Sequence, residues 1–425
     1  MISLDLLVQR LERLSGAVVD ARPRFDVEPV PMVAPTSVEQ VVALLRFAHT
    51  EKLRVIPCGL GSKLGWCGTP GHVDFMLSTR NLTRVVSHVP DDGTITIEAG
   101  MTMAELARRC RAGGHFLTPD VAAPATKTIG GVVAAGESGF DRLRFGPLRH
   151  HVLGTKVVLA DGTLAKSGGQ LVKNVTGFDL HRLYCGSHGT LCVIVEVSLR
   201  LFPEPEHEVW VTTSTRVAEE AFELARRALA LPIRFVSLSS AQPAASQSDA
   251  RFVLSARMFG RRAPVEVERR LLADAWPAFV AVADHEARAA AEAVRDSSAF
   301  ASSARMLLHA SCSPADVAVV HEALARALDA RGLSRRVSIQ PGQAELDVEL
   351  HEHGDAGTTA ELVAAVRSEL RALGATLAVR NAPRNALVAL DPFGDASPGL
   401  DLMRAVQRKL DPDGVFATGR FHGGL

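Results

Sequence analysis

Pro57-Cys58-Gly59-Leu60-Gly61-Ser62-Lys63-Leu64-Gly65 leaves the short apolar run Leu53-Arg54-Val55-Ile56, and a second glycine-rich stretch follows as Thr128-Ile129-Gly130-Gly131-Val132-Val133-Ala134-Ala135-Gly136-Glu137-Ser138-Gly139. Neither fits a common nucleotide motif. A dinucleotide fingerprint needs G-x-G-x-x-G, and after Gly59 and Gly61 the third required position is Leu64. A Walker A loop ends in Gly-Lys-Ser/Thr, whereas Gly61-Ser62-Lys63 has the opposite order. Gly65, Gly68, Pro70 and Gly71 would break a helix after the first stretch. What remains is a strand running into a loop of closely spaced glycines, whose bare N–H groups can wrap an anion without a helix dipole behind them.

Composition narrows the class. A chain of 425 residues reads as two domains, and 47% apolar with 22% charged residues rules against disorder. Lys plus Arg and Asp plus Glu are 47 each, and no basic stripe points to nucleic acid or anionic lipid. The longest apolar runs fall short of a membrane span, and Asp5, Arg10, Glu12 and Arg13 within an amphipathic pattern are unlike a secretory signal. The expectation is a cytoplasmic protein without direct membrane insertion. Cysteines stand at 58, 67, 110, 185, 192 and 312 with no C-x-x-C, so neither a zinc site nor an Fe–S cluster of ordinary spacing is expected. A one-electron carrier, where one is needed, must sit on another chain.

Thr36 and Glu39 read as a capping box opening a helix with apolar face Val38, Val41, Val42 and Leu45, and a strand over 53–56 follows. Thr102 with Glu105 caps a second helix through Cys110, stopped by Gly113-Gly114. Asp161-Gly162 is a hairpin turn, a helical turn over 179–184 ends at Gly186, and residues 191–201 alternate as one long strand. Val193, Val195, Val197, Leu199 and Leu201 share one side of it. Pro203-Glu204-Pro205-Glu206 marks a domain boundary. Beyond it strand and helix patterns alternate to residue 373, which predicts an α+β domain on a largely antiparallel sheet, with no sequence repeat evident. A last helix spans Leu400–Leu410.

Further motifs follow in order: Arg144-Phe145-Gly146-Pro147-Leu148-Arg149, Val152-Leu153-Gly154, Gly168-Gly169, Lys173-Asn174-Val175-Thr176-Gly177-Phe178-Asp179-Leu180 and Gly186-Ser187-His188-Gly189-Thr190. With the glycine stretches they resemble the FAD-binding domain of the vanillyl-alcohol oxidase (PCMH-type) superfamily. Ala134-Ala135-Gly136-Glu137-Ser138-Gly139, the Lys173 to Leu180 run and the terminal Gly419-Arg420-Phe421-His422-Gly423-Gly424-Leu425 are similar to the FAD-binding subunits of glycolate oxidases. The likeness is dense over 35–203, thin over 206–390, and returns at the end. It implies an α+β chain with a two-part PCMH-type FAD-binding domain and an α+β cap. Residues 1–34 would be a helix and lead-in, 35–205 the FAD domain, 206–392 the cap, and 393–425 a return to the FAD domain.

The same resemblance implies the site. Pro57, Cys58, Gly59, Leu60, Gly61, Ser62 and Lys63 would hold the pyrophosphate, with Lys63 as a point cation. Pro119, Thr128, Ile129, Gly130, Gly131, Gly136, Ser138 and Gly139 would approach the ribityl chain and ring, where a missing Cβ avoids clashes. Val193 and Ile194 would lie beside the flavin. Ser62 stands where covalent relatives carry histidine, and Cys58 and Cys67 read as buried thiols, so the FAD is expected to be non-covalent.

Oxidising a 2-hydroxy acid needs a cation for the carboxylate, a base for the hydroxyl proton and the flavin for hydride. Catalytic relatives supply His-x-Gly-Asp-Gly-Asn and Glu-His-Gly segments, which His351-Glu352-His353-Gly354-Asp355-Ala356 echoes without the Gly-Asn continuation. Histidines at i,i+2 on a strand end share a face and could take a metal, but no complementary carboxylate cluster accompanies them, and they read as a solvated strand end. His150-His151 reads either as near the flavin or as a surface pair. Phe178 replaces an expected tyrosine, and Tyr184 is the only tyrosine. No catalytic residue is assigned. The resemblance implies an FAD-binding subunit of a glycolate (2-hydroxy acid) oxidase whose flavin relays electrons or is structural. Its partners would be a paralogous catalytic FAD subunit and an Fe–S subunit, through which it would meet the membrane. The alternatives are a stand-alone FAD-dependent oxidoreductase of a small hydroxy acid or alcohol, and a flavin-free scaffold.

Overall fold

Among the described residues the strands form four sheets. The computed structural model describes residues 3–16, 30–66, 68–170, 177–235, 237–242, 251–276, 278–297, 306–350, 356–382, 387, 390–394 and 398–425. Cys67, residues 171–176 with the first half of the Lys173 motif, and the 351–355 histidine segment lie outside them.

Strands β1 (Met32–Val33), β2 (Val55–Cys58) and β3 (Phe75–Ser78) form a parallel sheet in the order β1-β3-β2. Helices α1 (Leu4–Ser15) and α2 (Val38–Glu51) seal one face of it through Leu11, Val41, Leu44 and Leu45, packed on Val33, Val55, Phe75 and Leu77. The cap of α2 falls one residue later than Thr36. Ser37 accepts the Gln40 N–H at 3.3 Å, and the Gln40 side chain reaches back to the Thr36 N–H at 2.7 Å. Ser37-x-x-Gln40 meets the same backbone need as Thr36-x-x-Glu39, and the pattern alone does not separate them.

A five-stranded antiparallel sheet of β4 (Val85–Val89), β5 (Thr94–Glu98), β7 (Val152–Val158), β8 (Leu164–Gly168) and β9 (Val193–Arg200) has the order β4-β5-β9-β7-β8. β9 does not keep one alternation. Its pairing with β7 steps from Lys156↔Glu196 to Val157↔Ile194, so Val195 is the extra residue of a bulge. Val193 and Val195 therefore enter the core shared with the parallel sheet, while Ile194, Val197 and Leu199 enter the core under α3 (Met103–Ala112). One strand thus joins both cores. Thr102 caps α3 by accepting the Glu105 N–H at 3.3 Å, but the Glu105 carboxylate pairs with Arg108 and Arg109 instead of closing a box.

The remaining sheet is eight-stranded, antiparallel throughout, and ordered β14-β11-β13-β12-β16-β17-β15-β18. It consists of two βαββαβ units. The first is β11 (His207–Thr215), α7 (Ala218–Ala230), β12 (Ser237–Gln242), β13 (Phe252–Gly260), α8 (Arg262–Ala275) and β14 (Phe279–Ala283). The second is β15 (Met306–Ser311), α10 (Val317–Asp329), β16 (Arg335–Gln340), β17 (Glu345–Leu350), α11 (Ala356–Ala372) and β18 (Thr376–Asn381). Each places its strands in the spatial order fourth-first-third-second, and the second strands meet at β12–β16. An internal repeat is therefore present in the fold though not evident in the sequence. A linking helix, α9 (Asp284–Ser297), covers the outer face of the first unit through Ala287 and Ala291 against Trp210.

The first unit docks on the amino-terminal part through rings and charges. Phe116 on β6 (His115–Phe116) and Phe202 on its partner β10 (Phe202–Pro203) meet Phe145, which ends α5 (Arg142–Phe145), and the cap residue Phe259, with Phe145 and Phe202 centroids 4.8 Å apart. Beside them Arg257 reaches Glu208 at 2.8 Å, Asp141 at 3.2 Å and Asp120 at 3.6 Å. Burial pushes Asp141 up to about 7; Asp120 and Glu208 add to this, and Arg257 and Arg295 oppose it. A carboxyl raised on folding holds a proton that the unfolded chain releases, so stability falls as pH rises from about 4 to about 7. The rise from 3.8 to about 7 corresponds to a loss of ~4 kcal/mol at the alkaline end. Asp141→Asn removes this contribution: urea unfolding should give a wild-type-minus-variant stability difference that falls by about 2–4 kcal/mol between pH 4.5 and 7.5. A pH-independent difference would contradict the assignment.

Candidate functional site

β2 delivers the first glycine stretch to the edge of the parallel sheet. The Ser78 hydroxyl donates to Gly59 O at 2.6 Å, and the Thr79 N–H donates to Cys58 O at 2.9 Å. Gly61 sits at φ 84°, where a side chain would be strained, and only the short turn Leu64–Trp66 follows. The second stretch differs from the loop read in the sequence. Ile129–Ala135 is a helix, α4, capped by Thr128 Oγ1 accepting the Gly131 N–H at 3.2 Å and ended by Gly136 at φ 65°. Ile129, Val132 and Val133 fall on one helical face and are buried, which outweighs the low propensity of two glycines.

The two stretches touch. A Cβ on Gly59 would stand 2.0 Å from Thr128 Oγ1, and one on Gly130 would stand 2.7 Å from the Ala99 Cβ. Pro57, Cys58, Gly59, Leu60, Gly61, Ser62, Lys63, Thr128, Gly130, Gly131, Val193 and Ile194 together line a cavity of about 90 Å³. It adjoins a cleft of about 950 Å³ lined by Gly136, Ser138 and Gly139, with Leu60, Gly61, Ser62, Ala135 and His188 common to both. The smaller space cannot hold a dinucleotide, but the joined spaces suit a cofactor and a small substrate. Among the described residues, the N–H groups of Leu60, Gly61, Ser62 and Lys63 make no backbone hydrogen bond. These donors, on a wall of glycines, fit the diphosphate of FAD. Two predicted residues lie elsewhere. Ile129 is fully buried in the core under α3, and Pro119 lines a separate cleft beside Arg257.

Charged groups missed in the sequence surround the junction. Glu137 bridges Lys63 at 2.7 Å and Lys127 at 2.6 Å, so the point cation read in the sequence is paired with a carboxylate. Burial pulls Lys63 down against the pull of Glu137. Burial pushes Glu137 up, but the two lysines outweigh it and hold the carboxyl below its usual value. Lys63, Lys127 and Arg380 lie 5.6, 5.9 and 5.4 Å from the Trp66 ring centre. His188 packs against Phe393 and Phe421; burial, with Arg420, Arg380 and Lys63 nearby, pushes it down to about 4, so it is neutral at pH 7. Glu137, His188 and Arg420 all belong to the glycine-bearing motifs of the sequence, and a polar side chain among those glycines was the available signal.

The cap contributes the opposite wall of the large cleft, including His309, Glu345, Asp347 and Arg380. His309 Nδ1 is 2.8 Å from Asp347 Oδ1, and Arg380 Nη1 donates to the same oxygen at 3.3 Å. Arg142 of the amino-terminal part pairs with Glu345. Other sequence candidates are not brought here: His150 is exposed, His151 is buried and bonded to Phe145 O at 2.8 Å, Phe178 is exposed, and Tyr184 is core. Among the described residues no group of three or more His, Cys, Asp or Glu side chains could hold a metal ion, and no helix is long and apolar enough to cross a membrane.

Residues 29–168 match a family described as FAD binding domain. The glycolate oxidase subunit GlcD of Bacillus subtilis (strain 168) is 31% identical over 189 residues, 44% of this chain and 40% of that protein. The D-lactate dehydrogenase of Archaeoglobus fulgidus is 31% identical over 246 residues, 54% of this chain and 55% of that one. The mitochondrial D-2-hydroxyglutarate dehydrogenase of Bos taurus is 36% identical over 174 residues, 41% and 32% respectively. The chain thus spans about half or less of the length of these relatives. Among solved structures, an alkyldihydroxyacetonephosphate synthase shares the fold, with a TM-score of 0.69 and 15% identity over 91% of this chain and 76% of that one.

Proposed function

This chain carries an FAD-binding domain of the vanillyl-alcohol oxidase (PCMH-type) superfamily, and we propose on that premise that it is the FAD-binding subunit of a 2-hydroxy acid oxidase of the glycolate oxidase kind. The observation that carries the reading is the contact of Gly59 with Thr128, which closes a donor-lined cavity opening into the cap cleft. Backbone N–H groups from Leu60 to Lys63 would hold the diphosphate, with Lys63 and Lys127 supplying positive charge beside it. His188, neutral at pH 7, would offer a hydrogen bond without adding charge. The glycine wall and the cap together would keep water from the reacting atoms. Bound FAD supplies acceptance of a hydride. Similarity to FAD-dependent hydroxy-acid dehydrogenases supports the substrate class. A paralogous FAD subunit and a separate Fe–S subunit complete the assembly in this reading.

The purified chain should be yellow and should release about one unmodified FAD per chain on acid precipitation. A colourless chain that FAD cannot reconstitute sinks the cofactor reading. Full aerobic turnover of glycolate by the isolated chain sinks the subunit reading alone.

A further inference from the structure

The eight-stranded sheet has two edge strands, and they are finished differently. At β18 the Val379 N–H donates to Pro392 O at 2.6 Å, and the Leu64–Trp66 turn packs alongside. Arg380 on that strand lies 5.4 Å from the Trp66 ring centre. That edge is closed. At the other end Phe279-Val280-Ala281-Val282-Ala283 contains no charge and no proline, and β14 pairs with β11 without a bulge. Val280 is 67% exposed, and Ala281 and Ala283 are exposed too. Exposed edges are ordinarily blunted by lysine, proline or a bulge, because unpaired N–H and C=O groups otherwise template another strand. The five-stranded sheet follows that rule: β8 carries Lys166, and β4 has a bulge between Val85 and Ser87. β14 does not, and among the described residues no strand meets its outward backbone groups.

The sequence of the strand selects its occupant. Val280 and Val282 alternate with Phe279 and Ala281, so the valines share the Trp210 face while Phe279 enters the core under α7 and α8. Two copies related by a two-fold axis normal to the sheet pair antiparallel, each residue opposite one of the same face. With the axis through Ala281 all five residues pair. Phe279 then faces Ala283 of the second copy, Val280 faces Val282, and Ala281 faces itself. A large side chain meets a small one at each end, and β-branched pairs fill the positions between. Asp284, the first charge beyond the strand, comes opposite Ala278 and not opposite another Asp284. We propose that β14 is the contact of a reversible homodimer, which joins two eight-stranded sheets edge to edge into one. Because β18 is closed, assembly stops at two copies. Five residues span about 17 Å, and a contact so short belongs with the small, transient interfaces. The proposal goes beyond the FAD reading and does not depend on it. The wall of the large cleft, on β15 to β18, stays at the far end of the sheet from the contact.

The test is the mass of the full chain in solution. Sedimentation equilibrium should show monomer passing to dimer with a Kd on the order of 1–100 µM, and no larger species. Ala281→Lys sets two like charges opposite each other on the axis and should raise that Kd about 10–100-fold. Val280→Lys, at a position that faces solvent in the monomer, should raise it about tenfold. Leu402→Lys is the control: Leu402 is 70% exposed on the last helix, outside the cap, and its change should leave the Kd unmoved. Ala281→Cys should link to itself across the axis with a short bismaleimide, beyond the background of the native cysteines. Ala278→Cys should not, since its two copies would stand about 20 Å apart. An unaltered melting temperature shows that Ala281→Lys folds; if it does not, Val280→Lys and the two cysteine variants decide. A wild-type chain that stays monomeric to about 200 µM overturns the proposal and leaves the edge to a strand of another protein. Masses beyond the dimer, or equal weakening by Leu402→Lys, overturn it as well. So does linkage at position 278 without linkage at 281. FAD content does not enter, so failure of the cofactor reading leaves this result standing.

Discussion

Gly59→Ala should abolish retention of FAD on purification while leaving the eight-stranded sheet folded. The new methyl would stand 2.0 Å from Thr128 Oγ1, 2.9 Å from its Cγ2 and 3.0 Å from its Cβ. Rotating Thr128 away breaks the cap to the Gly131 N–H, which costs about 1 kcal/mol. The remaining contacts still force the strand end and α4 apart, and such overpacking costs about 1–3 kcal/mol. Both walls of the small cavity move, so the loss falls on the cofactor as well as on the fold. Roughly 3 kcal/mol at the site is about a hundredfold in Kd. The ratio of flavin to protein absorbance after gel filtration reads the effect, and titration of the FAD-free variant gives its Kd. Gly71→Ala is the control, because nothing lies within 4 Å of its added Cβ. Wild-type affinity in Gly59→Ala would mean that contact between the two stretches is no part of the cofactor site.

The same contact marks what the sequence discloses. Closely spaced glycines are legible because a missing Cβ and a positive φ have few other uses, and Gly59, Gly61, Gly130 and Gly131 do meet at one cavity. The helicity of the second stretch is less legible, since two glycines argue against a helix while the burial of Ile129, Val132 and Val133 argues for one. The alternation over 191–201 reads as unbroken because every odd position from Val193 to Leu201 is apolar, yet the bulge at Val195 sends that set into two cores. Alternation reports that a strand is buried, not which core each residue enters. The duplicated unit stays hidden because a βαββαβ arrangement constrains hydrophobic spacing without fixing residue identities. Of the cap site, Asp347 and His309 lie 38 residues apart and meet only through strand register, and no local pattern joins them. Lys63 is visible as a cation, but its pairing with Glu137 depends on α4 packing back against the first stretch.

Arg257→Met should destabilise the protein by about 3–5 kcal/mol at pH 8, the range for removing one partner from a buried ion cluster. Methionine keeps most of the aliphatic volume, so the loss is chiefly electrostatic. Without Arg257, Asp120 retains Arg295 at 3.0 Å and Glu208 retains, among the described residues, only Arg288 at 3.7 Å. Asp141, whose carboxylate is 4% exposed, loses the one cation that reaches it, at 3.2 Å, among the described residues. Its carboxyl, already pushed up to about 7 by burial, must rise further once that cation is gone. At pH 5 it is then protonated and neutral in the folded variant, whereas at pH 8 the variant must either carry a buried unpaired charge or hold a proton against the solvent. The destabilisation should therefore be smaller at pH 5 than at pH 8 by about 1–2 kcal/mol, a sign set by the raised folded-state value. Urea midpoints at the two pH values measure it directly, provided the slopes match. Because Arg257 belongs to the cap and Asp120 and Asp141 to the amino-terminal part, the variant should also be cut sooner under limited proteolysis near residues 203–206. A loss below about 1 kcal/mol at both pH values would mean that rings such as Phe145 and Phe259, not this cluster, hold the cap in place.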